Sequence, residues 1–293
     1  MRILAHAKIN WTLEITGVDA NGYHLLNMLM QSIDLADEII LTPADQLSLT
    51  VEGSSSIPND RHNLALRAAI ALQERTGVRC GAAIHLIKHI PSGAGLGGGS
   101  ADAAAVLCGL NQLWQTGLGQ IELERIGLSL GADVPFCLRG GLCRAEGIGE
   151  KLTSYQNPPV WPLVIVKPCE GLSTAEIYRG YTSDFAVRPA HEAVLQAAEA
   201  DDPSLLPPYP GNALENVSES FLPSIRQCRN ALRSLGAVCA QMSGSGSAVF
   251  GVFADEACAA DAAKALSAQW PFVAQCRTSG SPFTFMDQGA DAT

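Results

Sequence analysis

The feature that most limits how this chain can fold is a glycine-rich loop between a strand and a helix. Residues 91–105 read PSGAGLGGGSADAAA, and five of the seven residues from Gly93 to Gly99 are glycine. An apolar run at 82–87 predicts a strand before the loop, and an alanine-rich run at 100–114 predicts a helix after it. Glycine lets backbone N–H groups approach an anion closely, and a helix start adds unpaired N–H donors. The loop therefore predicts a phosphate site, and the elements on either side argue against a flexible linker.

Two familiar phosphate loops do not fit. A P-loop requires lysine after GxxxxG, and Gly99 occupies that position. The dinucleotide fingerprint GxGxxG matches at Gly93, Gly95 and Gly98, but that fold needs a following strand and an acidic residue about 20 positions on. No acid lies near Leu113, and the following segment predicts a second helix. A nicotinamide-type domain is therefore disfavoured.

The loop resembles that of the GHMP small-molecule kinases, whose pattern is close to Pro-x-x-x-Gly-Leu-Gly-x-Ser-Ser-Ala. Four other segments resemble the same family: AHAKIN at 5–10, DANGYH at 19–24, GADVPF at 131–136 and MSGSGSA at 242–248. The extra loop glycine and the GYH segment are similar to the branch that phosphorylates the 2-hydroxyl of 4-diphosphocytidyl-2-C-methyl-D-erythritol in the non-mevalonate isoprenoid route. One departure is Ala101, which stands where the branch usually has a second serine and leaves Ser100 as the hydroxyl at the loop exit.

The resemblance implies an α+β, two-domain GHMP kinase fold with the active site in the interdomain cleft. We expect an N-terminal domain at 1–155 and a C-terminal α+β domain at 156–278, because three prolines in SYQNPPVWP interrupt any regular element. Residues 279–293 are polar and predict a flexible tail. Residues 136–144 predict a strand pair interrupted by glycine.

The resemblance assigns catalysis to Lys8 and Asp133. Lys8 and Asn10 are two residues apart, so they share one face of a predicted strand, although a lysine on such a face often only snorkels to solvent. Asp133 precedes a proline, where an aspartate commonly bonds its own backbone. In the family reading, Asp133 orients the acceptor hydroxyl and accepts its proton late, while Lys8 lies between that carboxylate and the transferring phosphate. Phosphoryl transfer depends mainly on such positioning and charge.

The resemblance also implies which residues bind the two substrates. Tyr23 would stack on a cytosine ring, His24 would hydrogen-bond its edge, and Tyr178 would cover the other face. Without the resemblance, Tyr23 and His24 would be packing residues beside a turn. The residues expected to bind the acceptor substrate are Asn10, Tyr23, His24, Thr174 and Tyr178. The residues expected to bind ATP are Pro91, Ser92, Gly93, Ala94, Gly95, Leu96, Gly97, Gly98, Gly99, Ser100, Ala101, Asn63 and Leu64.

Two of the segments that the resemblance places in the active site also allow a simpler, structural interpretation. Asn63 and Leu64 begin a helix predicted at 62–76 and would meet the adenine, but asparagine is also a common N-cap residue. Residues 244–247 would close the site near the phosphates, or they are a plain tight turn between two strands.

Composition limits the kinds of partner that the protein is expected to bind and the compartment in which it is expected to lie. The net charge of −10 over 293 residues predicts no general contact with nucleic acid or an anionic membrane. We expect ATP and Mg²⁺ as cofactors and a small cytidine diphosphate compound as the substrate; the oligomeric state and the Mg²⁺ ligands stay open. Nine cysteines without a CxxC pair indicate buried thiols in a reducing compartment. With no long apolar run and no secretory-type N-terminus, we expect a cytoplasmic protein.

Two alternatives remain open at this point. The chain could be another GHMP kinase, acting on homoserine, mevalonate or a sugar, although the GYH segment argues against it. It could also be a non-catalytic nucleotide-binding protein on the same scaffold, which would leave Lys8 and Asp133 together unexplained.

Overall fold

The computed structural model describes residues 1–53, 57–168 and 171–286. The elements of the first half are β1 (Arg2–Val18), β2 (His24–Ala44), β3 (Ser48–Glu52), α1 (Leu64–Thr76), β4 (Gly81–Ile87), α2 (Gly98–Leu113), α3 (Gln120–Leu130), α4 (Val134–Arg139), β5 (Leu142–Gly147) and β6 (Lys151–Tyr155). The elements of the second half are β7 (Pro162–Lys167), α5 (Thr174–Gly180), α6 (His191–Ala200), α7 (Glu215–Phe221), α8 (Ser224–Ser234), β8 (Cys239–Met242), β9 (Val249–Val252), α9 (Glu256–Ser267), β10 (Phe272–Ser279) and β11 (Phe283–Met286). Short 3₁₀ turns lie at Ser183–Phe185 and Pro203–Leu205.

The strands form two mostly antiparallel sheets that share β10. In the first sheet, β11, β1 and β2 lie side by side, and β4 and β5 also pair with β2. β3 runs parallel to β4, and β6 pairs with β5. The second sheet has the order β10, β7, β9, β8, and the last two residues of β10, Thr278 and Ser279, pair with β2. Because β10 pairs with strands from both sides of residue 155, the predicted domain division there stays a prediction.

The core between the two sheets holds β1 in place. Trp11 of β1 is fully buried, and its ring meets those of Trp161 and Phe250 edge to face at 5.8 and 5.4 Å. Edge-to-face pairs of this kind are favoured geometries for buried aromatic rings. The strand that carries Lys8 is therefore fixed against elements from the second half of the chain.

The first two helices begin and end at signals visible in the sequence. Asn63 caps α1, since its Oδ1 accepts a hydrogen bond from Ala65 N at 2.9 Å, and Gly77 ends the helix with a φ of 73°. The sequence predicts the stop at Gly77, and the cap at Asn63 is one of the two interpretations left open for that residue. α2 begins at Gly98, slightly earlier than predicted, because Gly97 adopts a φ of 71° and takes the N-cap position.

The predicted strand pair at 136–144 is wrong in its first half. Residues 134–139 form the helix α4, and the chain becomes a strand only at β5. Pro135 lies in the first turn of α4, where proline supplies a helical φ and its missing N–H costs nothing. Gly140 and Gly141, with φ values of 67° and 68°, end the helix and turn the chain.

The predicted flexible tail at 279–293 is wrong for its first part. Residues 283–286 form β11, which pairs antiparallel with the start of β1. Phe283 is 9 % exposed, and His6 Nδ1 donates a hydrogen bond to the carbonyl oxygen of Ser281 at 2.8 Å. Burial of this phenylalanine and pairing with a strand from the other end of the chain order the segment. Residues 287–293 lie outside the described residues.

The cysteines match the sequence expectation only in part. Cys137, Cys143, Cys228, Cys239 and Cys276 are buried free thiols. Cys80 and Cys258 are exposed, which contradicts the expectation of uniformly buried thiols. Cys169 lies outside the described residues.

Candidate active site

Two glycine-rich segments that are distant in the sequence pack against each other. We call residues 91–97 the phosphate loop and residues 243–247 the glycine turn. Three hydrogen bonds join the phosphate loop to the glycine turn and to Ala248, the residue before β9. Ser243 Oγ donates to Gly95 O at 2.9 Å, Ser247 N donates to Gly93 O at 3.3 Å, and Ala248 N donates to Ala94 O at 3.1 Å. The glycine turn therefore extends the surface of the phosphate loop and is more than a connection between β8 and β9.

Gly95 lies where the two segments come closest. Its φ of 73° is in the left-handed region. A Cβ added to Gly95 would lie 2.0 Å from Ser243 O and 3.0 Å from Gly246 N. Both are backbone atoms, so no side-chain rotation can relieve the contact. Glycine is needed here for its conformation and for its size.

Lys8 reaches this junction from β1. Its backbone N donates to Leu96 O at 3.0 Å, which fixes the strand against the phosphate loop. Its Nζ donates to Asn10 Oδ1 at 2.6 Å and lies 3.4 Å from Asp133 Oδ2. The side chain is 5 % exposed, so Lys8 does not snorkel to solvent, and these two partners replace the water that its Nζ loses on burial. A Cβ on Gly244 would lie 3.4 Å from Lys8 Nζ, which places the ammonium beside the glycine turn.

Asp133 immediately precedes α4 but does not cap it. Its carboxylate accepts no capping hydrogen bond from the backbone of that helix, and its Oδ2 instead faces Lys8 Nζ. The Asp133 side chain is 32 % exposed. Ser100 lies near the same segment, since a Cβ on Gly131 would lie 4.0 Å from Ser100 Oγ. The carboxylate thus has a buried cation on one side and an open side that can receive a hydroxyl group.

Asn10 is buried, and its polar groups are used within the protein. Its Oδ1 accepts the hydrogen bond from Lys8, its backbone N donates to Ser243 Oγ at 3.2 Å, and its Nδ2 donates to Met28 Sδ at 3.3 Å. Only 1 % of its surface is exposed. In this structure Asn10 orients Lys8, whereas its predicted contact with substrate stays a prediction.

Comparison with known proteins is consistent with this arrangement. Residues 63–141 match the model of the GHMP kinases N terminal domain, and residues 190–271 match that of the GHMP kinases C terminal domain. The chain belongs to the GHMP kinase family. The predicted α+β GHMP kinase fold is confirmed, and the protein is an ATP-dependent small-molecule kinase.

The relatives of this GHMP kinase share most of its length. It is 42 % identical over 255 residues to 4-diphosphocytidyl-2-C-methyl-D-erythritol kinase of Bacillus pumilus, covering 86 % of this chain and 88 % of that one. It is 44 % identical over 255 residues to the protein of the same name from Pelotomaculum thermopropionicum, with the same coverage of 86 % and 88 %. A crystal structure of 4-(cytidine 5'-diphospho)-2C-methyl-D-erythritol kinase superimposes with a TM-score of 0.83 at 36 % identity, over 96 % of this chain and 100 % of that chain.

Among the residues expected to hold cytosine in this GHMP kinase, the structure brings His24 and Tyr178 together. Their rings stack with centroids 5.3 Å apart and an interplanar angle of 29°, and Tyr181 meets His24 edge to face at 5.8 Å. Burial, together with the negative charge of Asp133, raises the pKa of the Tyr178 hydroxyl. Tyr23 is 63 % exposed. Sequence reasoning did not identify Tyr181, which lies three residues beyond Tyr178 at the end of α5.

Thr174, another predicted substrate residue, begins α5. Its Oγ1 shares a hydrogen bond with Ser245 Oγ at 2.9 Å. Ser245 O in turn accepts from Ser218 Oγ of α7 at 3.1 Å. The structure therefore places Thr174 at the glycine turn, close to the junction with the phosphate loop.

Asn63 and Leu64 lie beside the start of α2. Asn63 caps α1 with its Oδ1 and donates from Nδ2 to Pro58 O at 2.7 Å, so both ends of its amide are engaged. A Cβ on Gly99 would lie 3.5 Å from Leu64 Cδ1. The N-cap interpretation of Asn63 is therefore correct, and the predicted adenine contact stays a prediction.

A cavity adjoins the phosphate loop and was not expected from the sequence. Its volume is about 260 Å³, and it is lined by residues 88–92 together with Gly53, Ile57, Lys167 and Phe272. The cavity therefore lies on the entry side of the phosphate loop.

Sequence reasoning also missed a buried ion cluster behind the phosphate loop. Lys88 pairs there with Asp37 and Asp102. The signal that could have found it is Asp102 itself, an acidic residue among the buried alanines of α2. Buried acids are rarely found without a partner.

Proposed function

We propose that this kinase transfers the γ-phosphoryl group of ATP to the 2-hydroxyl of 4-diphosphocytidyl-2-C-methyl-D-erythritol, giving the 2-phosphate and ADP, in non-mevalonate isoprenoid precursor biosynthesis. The observation that carries the proposal is the pair formed by Lys8 and Asp133, 3.4 Å apart at the junction of the two glycine segments. The identity of about 40 % to kinases with this substrate in their name supports the choice of acceptor.

The residues present fit a triphosphate. Gly93, Gly95 and Gly97 all have positive φ values, of 60°, 73° and 71°, which is typical of loops whose N–H groups converge on an anion. The 16-residue helix α2 starts directly behind them and adds its unpaired N–H groups and dipole. We infer that the phosphate loop holds the phosphates of ATP.

The chemistry then depends on placement and charge. When bound, ATP supplies the phosphoryl group, and Mg²⁺ neutralises part of its charge. Lys8 stabilises negative charge at the junction, because its ammonium is buried and held by Asn10 and Asp133. Asp133 orients the acceptor hydroxyl and accepts its proton as the new bond forms. A loose transition state demands little proton removal early on, so orientation is the larger part of this role.

We propose that Mg²⁺ binds mainly through the phosphates. Among the described residues, no group of three or more His, Cys, Asp or Glu side chains could hold a metal ion. Mg²⁺ in nucleotide enzymes usually keeps several waters and few protein ligands, which fits this donor set.

The aromatic residues around His24 are our candidate for the cytosine site. His24 Nδ1 is buried and has no hydrogen-bond partner within the described ranges, and we assign this unused nitrogen to the edge of a base. Tyr178 offers a ring face, and the exposed Tyr23 can cover the opposite face of the base. Stacking accepts any base, whereas hydrogen bonds supply the selectivity.

Replacing Tyr23 by alanine tests this site. Stacking on an aromatic side chain stabilises a bound base by about 1–3 kcal/mol, so we expect KM for the cytidine substrate to rise about tenfold or more with kcat little changed. Steady-state kinetics at saturating ATP measures both constants. Tyr209→Ala is the matched control, because Tyr209 is similarly exposed, at 54 %, and its ring lies under the guanidinium of Arg229. An unchanged KM in the Tyr23 variant would remove Tyr23 from the cytosine site.

A coupled ADP-release assay with Mg-ATP tests the function as a whole. 4-Diphosphocytidyl-2-C-methyl-D-erythritol, homoserine and mevalonate are supplied as parallel acceptors. We expect release with the cytidine compound alone. Release with another acceptor would keep the kinase activity and reject the cytosine site, and ATP binding without release would favour a non-catalytic nucleotide-binding protein.

The compartment that we propose is the cytoplasm. The eight cysteines in the described part of the chain are free thiols, as expected where thiols are kept reduced. As a separate observation, none of the helices in the described ranges is long and apolar enough to span a membrane.

A further inference from the structure

The buried cluster of Lys88, Asp37 and Asp102 has no part in the chemistry proposed above. Lys88 Nζ donates to Asp102 Oδ2 at 2.6 Å and also to Asp37 Oδ2. The exposed fractions are 9 % for Lys88, 3 % for Asp102 and 0 % for Asp37. Removing one member of such a buried set leaves an uncompensated charge, so the three side chains depend on one another.

The cluster connects the two ends of the phosphate loop. On the entry side, Asp37 Oδ1 accepts hydrogen bonds from the backbone N of His89 and Ile90 at 2.6 and 2.8 Å. On the exit side, Asp102 belongs to α2. A Cβ on Gly98 would lie 3.5 Å from Asp37 Oδ2, so the first residue of α2 also lies close to the cluster.

The charge of the cluster is relevant to an anionic ligand. Burial alone would lower the pKa of Lys88, but the attraction of Asp102 and Asp37 outweighs it and raises that pKa, so the ammonium stays charged. Burial raises the pKa of Asp102 well above its usual range, and its Oδ1 has no hydrogen-bond partner in the described part of the chain. Without Lys88, two carboxyl groups would remain uncompensated next to the loop that receives the triphosphate.

We propose that Lys88 is a positioning residue for nucleotide binding, which holds both ends of the phosphate loop, through Asp37 and Asp102, in the conformation that receives the triphosphate. This inference rests on the proposed use of ATP. A loop with three glycines among its seven residues, Gly93, Gly95 and Gly97, has many conformations to lose on binding. Holding it in the bound shape beforehand lowers that cost and improves affinity.

Four variants distinguish a positioning role of Lys88 in ATP binding from an effect on the stability of the protein alone. Lys88→Met removes the ammonium, and Lys88→Met/Asp102→Asn removes it together with one of the two carboxyl groups that it compensates. Asp102→Asn alone keeps an oxygen that can accept from Lys88 Nζ. Arg2→Met is the control, because it breaks an ion pair with Glu38, the neighbour of Asp37 on β2, without touching the cluster. The measurements are KM for each substrate, kcat, Kd for ATP, Tm, and hydrogen exchange of amides 89–99.

We expect Lys88→Met to lower Tm and to raise KM and Kd for ATP about tenfold or more, with kcat at saturating ATP and KM for the acceptor within about twofold. In the double variant, Tm should recover toward the wild-type value while KM for ATP stays raised and amides 89–99 still exchange faster. Asp102→Asn and Arg2→Met should keep KM for ATP within about twofold of wild type.

Several results would overturn the proposal. One is recovery of KM for ATP together with Tm in the double variant, since the cluster would then act only on stability. Another is a tenfold rise in KM for ATP in Asp102→Asn. This variant keeps the hydrogen bond from Lys88 Nζ, so the charge of Asp102, and not its connection to Lys88, would then control ATP binding. ATP affinity and hydrogen exchange are measured without acceptor, so failure of the wild-type protein to release ADP would count against the proposed function alone.

Discussion

Replacing Asp133 by asparagine is expected to lower kcat by about three orders of magnitude while ATP still binds. A positioned acid–base group contributes about 10²- to 10⁴-fold to a rate, and asparagine cannot accept the proton of the acceptor hydroxyl. The change keeps the size of the side chain and an oxygen near Lys8 Nζ, so the geometry of the junction should persist. Single-turnover kinetics, with calorimetric measurement of ATP affinity, would separate the chemical step from binding.

The control for Asp133→Asn is Asp255→Asn. Asp255 also precedes a helix, and its side chain accepts a capping hydrogen bond from Cys258 N at 2.8 Å. We expect this variant to lose some stability and no activity. Turnover of Asp133→Asn within about tenfold of wild type would mean that Asp133 does not act as the proton acceptor.

Replacing Gly95 by alanine is expected to weaken ATP binding at least about a hundredfold, which corresponds to about 2.7 kcal/mol. The added Cβ would lie 2.0 Å from Ser243 O, so the glycine turn must move away from the phosphate loop. That movement would also disturb Lys8, whose backbone N bonds to Leu96 O. Calorimetric titration with ATP gives the affinity, and thermal unfolding gives the accompanying loss of stability.

The Gly77→Ala variant distinguishes the effect of the contact with Ser243 O from the effect of strain in the backbone. Gly77 has the same φ as Gly95, 73°, but a Cβ there would meet nothing within 4 Å. Strain from a left-handed residue, about 1 kcal/mol, should therefore lower the stability of both variants. Only Gly95→Ala should lose ATP affinity, and equal ATP affinities in the two variants would show that the contact with Ser243 has no role in binding.

Local signals in the sequence predicted most helices and strands and the family motifs. Gly77 ends α1 because glycine adopts a positive φ without strain, and that rule needs no knowledge of the fold. Lys8 and Asn10 share one face of β1 because side chains alternate along a strand. The strand pair expected at 136–144 is wrong in its first half, because Pro135 favours the start of a helix and the paired glycines Gly140 and Gly141 end that helix.

Contacts between distant residues could not be predicted in this way. β11 forms because a strand at the other end of the chain offers it hydrogen bonds and a place to bury Phe283, and neither is visible in residues 279–286 themselves. The ion cluster likewise depends on Lys88, Asp37 and Asp102 meeting from three separate elements. Lys88 and Asp37 alone have the appearance of ordinary surface charges, and only Asp102, among the alanines of α2, signals a buried charge.

The sequence by itself predicted the glycine-rich loop from its residue pattern and, through its resemblance to the GHMP kinases, the family and the candidate catalytic pair, because glycine conformation and motif spacing act over a few residues. Only the tertiary structure decided that the glycine turn completes the loop, that His24 stacks on Tyr178, and that Lys88 connects the two ends of the loop. The physical reason is that hydrogen bonds, ring contacts and ion pairs depend on distance in space. The chain brings these groups within reach only when its two sheets pack together around Trp11.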